Sequence, residues 1–160
     1  MKIIADHILA SVDEVIGSWI ALQLHEPWVQ LPLPDVVDHL PAVITNMVRA
    51  SLSDPSNLDR HRDKVHAAAE HGRQRRKAGF DDEVIFQEYY GIRNALWSLI
   101  RPRYPDTRAA EAMLRMDTAI SVALRASLVG FHEDRLLQSG ADVNERLETL
   151  ASESPLLHWP

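Results

Sequence analysis

The chain has 160 residues, of which 46% are hydrophobic and 25% charged, and its formal net charge is -6 at pH 7. This is the composition of an ordinary globular protein, and its acidic balance argues against general nucleic-acid binding. The absence of cysteine excludes disulfides, thiolate nucleophiles and Cys-ligated metal sites.

Neither secretion nor membrane insertion is expected from the sequence. No stretch approaches the ~20 apolar residues that a membrane-spanning helix needs. Asp6, Asp13 and Glu14 interrupt the N-terminal region where a signal peptide would need a continuous apolar core. We therefore expect a cytoplasmic protein.

The first predicted helix covers about residues 3 to 24. Its apolar residues recur at steps of three and four, which is typical of one face of an amphipathic helix. This stripe comprises Ile4, Ile8, Val12, Val15, Ile16, Trp19 and Ile20. Pro27, Pro32 and Pro34 follow, and they predict an extended connection because proline interrupts helical hydrogen bonding.

The second and third predicted helices are bounded by capping and turn residues. The second begins near Asp38, a suitable cap, with Pro41 in the first turn, where proline is tolerated. The turn sequence "SDPSN" at 53–57 ends it. The third covers about 58–78 and is followed by Gly79, a C-terminal cap.

The fourth predicted helix begins after Asp81, a plausible N-cap, and ends near Arg101, before Pro102 and Pro105. Its apolar positions at helical spacing predict a buried face. That face comprises Ile85, Tyr89, Ile92, Leu96 and Leu99 or Ile100.

The fifth predicted helix begins near Asp106 or Thr107 and is long. Five apolar residues spaced by seven suggest that it extends toward the C-terminus and pairs with a second copy of the chain. This predicted dimer or output seam comprises Val122, Val129, Leu136, Val143 and Leu150. Gly140 is a point where the helix would break.

These elements together predict an all-α bundle of five to six helices with a long C-terminal helix, since no strand-like alternation of useful length is present. We expect residues 1–138 to form the helical domain and residues 139–160 to form a C-terminal helix or linker and a tail.

The eight histidines do not predict a metal site. His61, His66 and His71 are each five residues apart, which turns a helix by ~500° and leaves the side chains on different faces. A haem ligand would have to be His66 or His71, and both lie among charged residues. We expect neither metal nor haem.

Enzymatic function is not expected either. The sequence contains no HExxH and no GxSxG nucleophile elbow. The carboxylates Asp81, Asp82 and Glu83 cluster at a predicted helix N-terminus, where capping explains them.

A second strip on the fourth helix carries Phe86, Tyr90, Arg93 and Trp97 at steps of three or four residues. Arg93 within an aromatic strip predicts a buried guanidinium, which needs carboxylate or carbonyl partners. Glu88 lies off this strip, where it could pair with a basic residue of the third helix. The alternatives are a structural ion pair between helices three and four and the polar floor of a small ligand pocket.

Basic residues concentrate between positions 60 and 77. They comprise Arg60, Arg62, Lys64, Arg73, Arg75, Arg76 and Lys77, against Asp63 and Glu70. A solvated helix face explains such a run; the alternative is a docking patch for an acidic partner.

The sequence "EHGRQRRKAGF" followed by "DDEVIFQEYYGIRNALW" resembles the N-terminal sensor domain of RsbR/RsbRD-type stress-response regulators, which also precedes some bacterial histidine kinases. The resemblance rests on His71, Arg73 and Arg75, on Gly79-Phe80, and on Glu88-Tyr89 and Arg93. The upstream "VVDHLPAVITNM" is similar as well, so that the likeness covers about residues 35 to 135.

The resemblance implies a globin-like helical bundle that carries no haem, forms a homodimer and passes a signal to a kinase or STAS-type output domain. No such domain follows residue 150 in this sequence, which fits either a separate sensor domain or a protein that stands alone.

We therefore predict a dimeric sensory or regulatory module that acts by protein–protein interaction and helix repacking. The predicted ligand-pocket or hinge residues are Arg73, Glu88, Tyr89, Tyr90, Arg93 and Trp97. The alternative is a globin-like protein that binds haem or another small molecule.

Overall fold

The computed structural model describes residues 1–23 and 39–159, which form α-helices and turns without a strand. Within these two ranges the α-helices are α1 (Lys2–Ala10), α2 (Val12–Gln23), α3 (Leu40–Val48), α4 (Leu58–Lys77), α5 (Glu83–Ile100), α6 (Thr107–Phe131), α7 (Glu133–Gln138) and α8 (Val143–Ser152). A π-helical turn at Arg49–Ser53 follows α3, and a 3-10 turn at Pro155–His158 follows α8. The all-α prediction is confirmed.

None of the helices in these two described ranges is both long and apolar enough to cross a membrane. The predicted cap Asp38 and the prolines at 27, 32 and 34 lie outside the described residues.

The predicted first helix is divided into α1 and α2 at Ser11. The Ser11 amide donates to the Ile8 carbonyl, 2.9 Å away, and α2 then restarts with the Val15 amide donating to the Ser11 carbonyl. The apolar residues of both helices still face the core, where Ile4, Ile8 and Trp19 are buried. The buried face was predicted correctly, whereas the single helix was wrong because a one-residue break preserves the apolar spacing.

Local capping sets the start of α4 and of α5. Asn57 Oδ1 accepts from the Asp59 amide at 3.0 Å, and Asp81 Oδ1 accepts from the Glu83 amide at 3.1 Å. Between the two helices, Gly79 has φ 86°, a left-handed conformation that favours glycine. The predicted Gly79 stop is confirmed, whereas the N-cap residue of α5 is Asp82, and Asp81, one residue earlier, provides the side-chain acceptor.

Helices α4 and α6 cross in direct backbone contact, and this crossing lies at the centre of the core. A Cβ atom added at Gly72 of α4 would lie 1.9 Å from the Ser127 carbonyl oxygen, and one added at Gly130 of α6 would lie 2.0 Å from that of Ala69. Only glycine permits this approach. The crossing places the middle of α4 in the interior even though α4 is mostly polar.

The predicted long fifth helix is wrong beyond Phe131, where α6 ends. The short α7 follows, and Gly140 with φ 82° turns the chain so that α8 packs on α4 and α6. Asp142 caps α8 by accepting from the Glu145 amide at 3.0 Å. Leu147 and Leu156 are buried in the same core as the preceding helices.

Candidate functional site

Helix α4 carries a buried polar strip that comprises His61, Lys64, His71 and Arg75. The spacing of three, seven and four residues places all four side chains on one helix face. Charged and polar side chains are rarely buried without partners. The side chains of this strip therefore require polar partners inside the bundle, and the strip is the candidate functional site.

The C-terminal half of the strip forms what we call the buried cluster, defined as His71, Arg75 and Glu88. Arg75 Nε donates to Glu88 Oε1 at 2.8 Å, and Arg75 Nη2 donates to Glu88 Oε2 at 2.9 Å. His71 Nε2 lies 3.3 Å from Glu88 Oε2. A bidentate guanidinium–carboxylate pair of this kind fixes both distance and orientation, so it locks α4 to α5.

Tyr89 extends this polar contact from α5 to α6. The Ser127 hydroxyl donates to the Ala68 carbonyl at 2.7 Å, so its oxygen is left to accept from the Tyr89 hydroxyl, also at 2.7 Å. The Tyr89 ring additionally meets the His71 ring edge-on, with centroids 6.1 Å apart. Polar contacts of one continuous region thus connect α4, α5 and α6.

The electrostatics of the cluster favour an ionised Glu88. Burial raises the pKa of the Glu88 carboxyl, but the neighbouring His71 imidazole and Arg75 guanidinium lower this pKa by more, so it lies below its usual range. Burial raises the pKa of the Tyr89 hydroxyl above its usual value, so Tyr89 stays a neutral hydrogen-bond donor.

The N-terminal half of the strip is a separate pair, His61 and Lys64. The Lys64 ammonium lies 3.3 Å from His61 Nδ1, and His61 Nε2 lies 2.7 Å from the Pro55 carbonyl. Burial lowers the pKa of Lys64 to about 8. The pKa of His61 is lowered too, because burial outweighs the raising effect of the Pro55 carbonyl. No carboxylate of the described residues pairs with Lys64.

Of the six predicted pocket or hinge residues, only Glu88 and Tyr89 belong to this buried region. Arg73 is half-buried and makes a bidentate pair with Glu133 of α7, at 3.0 and 3.1 Å. The expected burial of Arg93 is wrong: the side chain is 45% exposed, and its Nε lies 3.0 Å from Asp117 Oδ1 of α6.

Tyr90 and Trp97, the other two predicted residues, lie on the exposed face of α5 together with Phe86. Glu88 is buried and points into the bundle from the opposite side of the helix. The helical spacing of this strip was predicted correctly, but its packing inside the molecule was not.

The five residues of the predicted seam are distributed over α6, α7 and α8 and do not form one continuous stripe. Val122 and Val143 are buried within the chain itself. Val129 and Leu150 line an open groove of about 630 Å³ between α6 and α8, whose other lining residues include Arg125, Asp142 and Arg146.

The basic residues 60–77 do not form one exposed patch. Lys64 and Arg75 are buried, and Arg62 and Arg73 are paired with Glu148 and Glu133. Arg76 lies over the Phe131 ring, 5.4 Å from its centroid. The charges of this helix thus serve mainly contacts within the chain.

His71 and Arg75 were missing from the residues predicted for the site, although both lie in the segment that carries the family resemblance. Their spacing of four residues on one helix face, followed by a glycine turn and Glu88 on the next helix, is the signal that could have identified them. His66, the other histidine considered for haem, is exposed. No group of three metal-ligating side chains occurs within residues 1–23 and 39–159.

Comparison of the chain with protein-family models, with curated proteins and with solved structures gives no match.

Proposed function

We propose that this chain is a dimeric regulatory module of a bacterial stress-response or histidine-kinase signalling system. In this proposal it is a cytoplasmic, non-enzymatic, globin-like bundle that acts by protein–protein interaction and helix repacking. The proposal combines the family resemblance of residues 35 to 135 with one structural observation, the buried cluster between α4 and α5.

The buried cluster supports a regulatory role because its geometry permits few intermediate arrangements. Both Arg75–Glu88 contacts are shorter than 3 Å, so a small slide of α5 along α4 breaks them together. Breaking a buried ion pair costs about 3 to 5 kcal/mol when one partner is left uncompensated. We therefore expect α4 and α5 to have two discrete packings, one with the ion pair formed and one with it broken, and few intermediate ones.

The polar contacts of Tyr89 and Ser127 provide a route by which such a switch reaches α6. A shift of α5 that moves Glu88 also moves Tyr89, its neighbour in sequence, and so changes the contact with Ser127 at the α4–α6 crossing. A signal can drive this change only if it binds the two packings with different affinity. In the proposal, that signal is a ligand or a partner protein.

The substitution Glu88→Gln tests the proposal. It removes the carboxylate charge while it keeps the side-chain size, so α4–α5 packing should change without loss of the bundle. We expect the dissociation constant of the homodimer, measured by sedimentation of a dilution series, to change by about tenfold or more, which corresponds to about 1.4 kcal/mol. Far-UV circular dichroism verifies that the variant is folded.

The matched control is Glu145→Gln, which removes an exposed carboxylate from α8 and should leave the dimer unchanged. A wild-type chain that stays monomeric at its highest soluble concentration would refute the dimeric module. A folded Glu88→Gln variant with an unaltered dissociation constant would refute the coupling between the cluster and the interaction.

A further inference from the structure

Helix α5 carries an exposed surface that we call the α5 stripe. It comprises Glu83, Phe86, Tyr90, Arg93, Trp97 and Arg101. Steps of three and four residues at 100° per residue place all six on one face. Arg101 follows the last α5 residue but retains helical φ and ψ of -54° and -46°, so the stripe is continuous along the helix.

Three large aromatic side chains of the stripe are left in solvent. Phe86 is 44% exposed, Tyr90 64% and Trp97 36%. The opposite face of α5 is the one that packs in the core, through Ile85, Tyr89, Ile92 and Leu96. The aromatic residues of the stripe are therefore not needed to fold α5 against the rest of the chain.

Helix α6 widens this surface beside the C-terminal half of the stripe. The Arg93–Asp117 ion pair connects the two helices there. Leu114, one turn before Asp117, is 56% exposed. The exposed surface thus combines aromatic and aliphatic side chains with a central ion pair, a composition typical of protein interfaces.

The order of residues along the stripe is complementary to itself when two copies of α5 run antiparallel. A twofold axis between Tyr90 and Arg93 places Tyr90 opposite Arg93 of the second copy, and Phe86 opposite its Trp97. The same register places the acidic Glu83 within one residue of the basic Arg101 of the second copy. Each contact occurs twice, as an isologous interface requires.

From this pattern we infer that the α5 stripe is the surface through which two copies of this chain form an antiparallel dimer. The inference rests on the proposed function, which requires a dimer, and it specifies a surface different from the seam predicted along the C-terminal helices. Arg93 over the Tyr90 ring provides a cation–π contact, and the aromatic pairs provide the apolar centre.

Area and charge are compatible with a second copy as the occupant. A large aromatic side chain has a surface of ~200 Å², and about half of that surface is exposed in each of the three aromatic residues of the stripe, so together they offer about 300 Å² per copy. A standard interface buries ~800 Å² per partner, and the three side chains would supply a substantial part of it. The net charge of -6 makes two copies repel at long range, but Glu83 and Arg101 offset this locally. Antiparallel helices also align their dipoles favourably.

The first test replaces the aromatic residues by serine. We expect Tyr90→Ser and Trp97→Ser each to raise the dimer dissociation constant at least tenfold, because large aromatic side chains near the centre of an interface dominate binding. The controls are Ile3→Ser and Leu137→Ser, which alter apolar side chains that are 68% and 57% exposed outside the stripe. Both controls should dimerise like the wild type.

The second test uses the absence of cysteine in the chain to determine the register. Helix axes that are 8–10 Å apart bring facing Cα atoms within disulfide range. An oxidised mixture of Phe86→Cys and Trp97→Cys proteins should therefore yield the mixed disulfide in excess over either homodisulfide. Intact mass spectrometry distinguishes the three products.

The outcomes separate this inference from the proposed function. A dimer that persists in both folded serine variants, or that Leu137→Ser disrupts, overturns the α5 stripe but leaves the dimeric module intact. A predominance of homodisulfides overturns the antiparallel register. A monomeric wild-type chain overturns both proposals, whereas a dimer lost in the stripe variants but unaffected by Glu88→Gln supports the stripe and contradicts the coupling.

Discussion

At the scale of single residues, the buried charged side chains of the described residues differ in whether an opposite charge lies beside them. Arg75 and Glu88 neutralise each other within hydrogen-bond distance. Lys64 has a histidine as its polar neighbour, and a histidine is either neutral or cationic, so it does not compensate the lysine charge. Lys64 is therefore the residue at which burial most clearly costs stability.

Lys64→Met should remove a pH dependence of stability. The Lys64 pKa falls from 10.5 to about 8 on folding, so between these values the unfolded chain binds more protons and stability rises with pH. The rise should reach up to about 3 kcal/mol. Above pH ~10 the raised pKa of Tyr89 acts in the opposite direction.

Urea unfolding between pH 7.5 and 9.5 measures this effect. The wild-type free energy of unfolding should rise over this window, whereas Lys64→Met should show a flatter dependence and about 1 to 3 kcal/mol more stability at pH 7. Lys77→Met, which changes an exposed lysine of the same helix, serves as the control. An equal pH slope in Lys64→Met and wild type would contradict the assignment.

At the scale of elements, the α4–α6 crossing explains how a polar helix becomes central. Gly72 and Gly130 let the two backbones touch, and the Ser127 hydroxyl bonds across the contact to the Ala68 carbonyl. The close approach carries His71 and Arg75 into the interior with the helix. His71 and Arg75 are thus buried because the two glycines allow the helices to approach closely, and not because their own side chains favour the interior.

Gly72→Ala should destabilise the chain because its Cβ would lie 1.9 Å from a backbone oxygen that a rotamer change cannot move. Overpacking typically costs 1–3 kcal/mol, and the better helix propensity of alanine recovers at most ~1 kcal/mol. We expect a net loss of about 1 to 2 kcal/mol or more in thermal or urea unfolding.

Gly17→Ala is the matched control, since a Cβ there meets nothing within 4 Å and the residue lies inside α2. This variant should be as stable as wild type or up to ~1 kcal/mol more stable. Equal stability of the two alanine variants would show that the helices separate without cost.

At the scale of the whole molecule, the C-terminal segment closes the core instead of projecting from it. Helix α8 returns to α4, where Arg62 binds Glu148 through contacts of 2.8 to 3.2 Å. Leu147 and Ala151 are buried. Removing everything after about residue 135 would therefore expose core surface, so a truncated chain reports on folding as well as on dimerisation.

Leu147→Ala should cost about 2 to 5 kcal/mol of stability, the range for a leucine truncated in a packed core. Leu137→Ala provides the comparison, because that leucine is 57% exposed and surface changes usually stay within ±0.5 kcal/mol. The free energies of unfolding of the two variants, measured in urea, test this difference. If the two variants lost the same stability, α8 would not be part of the folded core.

Glu88 and Tyr89 were predicted from the sequence as pocket or hinge residues, and the structure places both in the buried region. The partner of Glu88 was not identified, because any of several basic residues of the third predicted helix satisfied the sequence pattern. Arg75 is the basic residue that meets Glu88 because it lies on the face of α4 that the Gly79 turn brings against α5. Arg93 was misplaced because an arginine in an aromatic strip has the same spacing in a core as on a surface.

The sequence by itself determined the all-α class, most helix ends and the apolar faces, since caps, glycine stops and periodicity act within a few residues. The tertiary structure alone decided that α4 crosses α6 at two glycines, that Arg75 meets Glu88 and that the α5 stripe stays in solvent. Local patterns specify which residues share a face, whereas the packing of distant helices determines what that face meets.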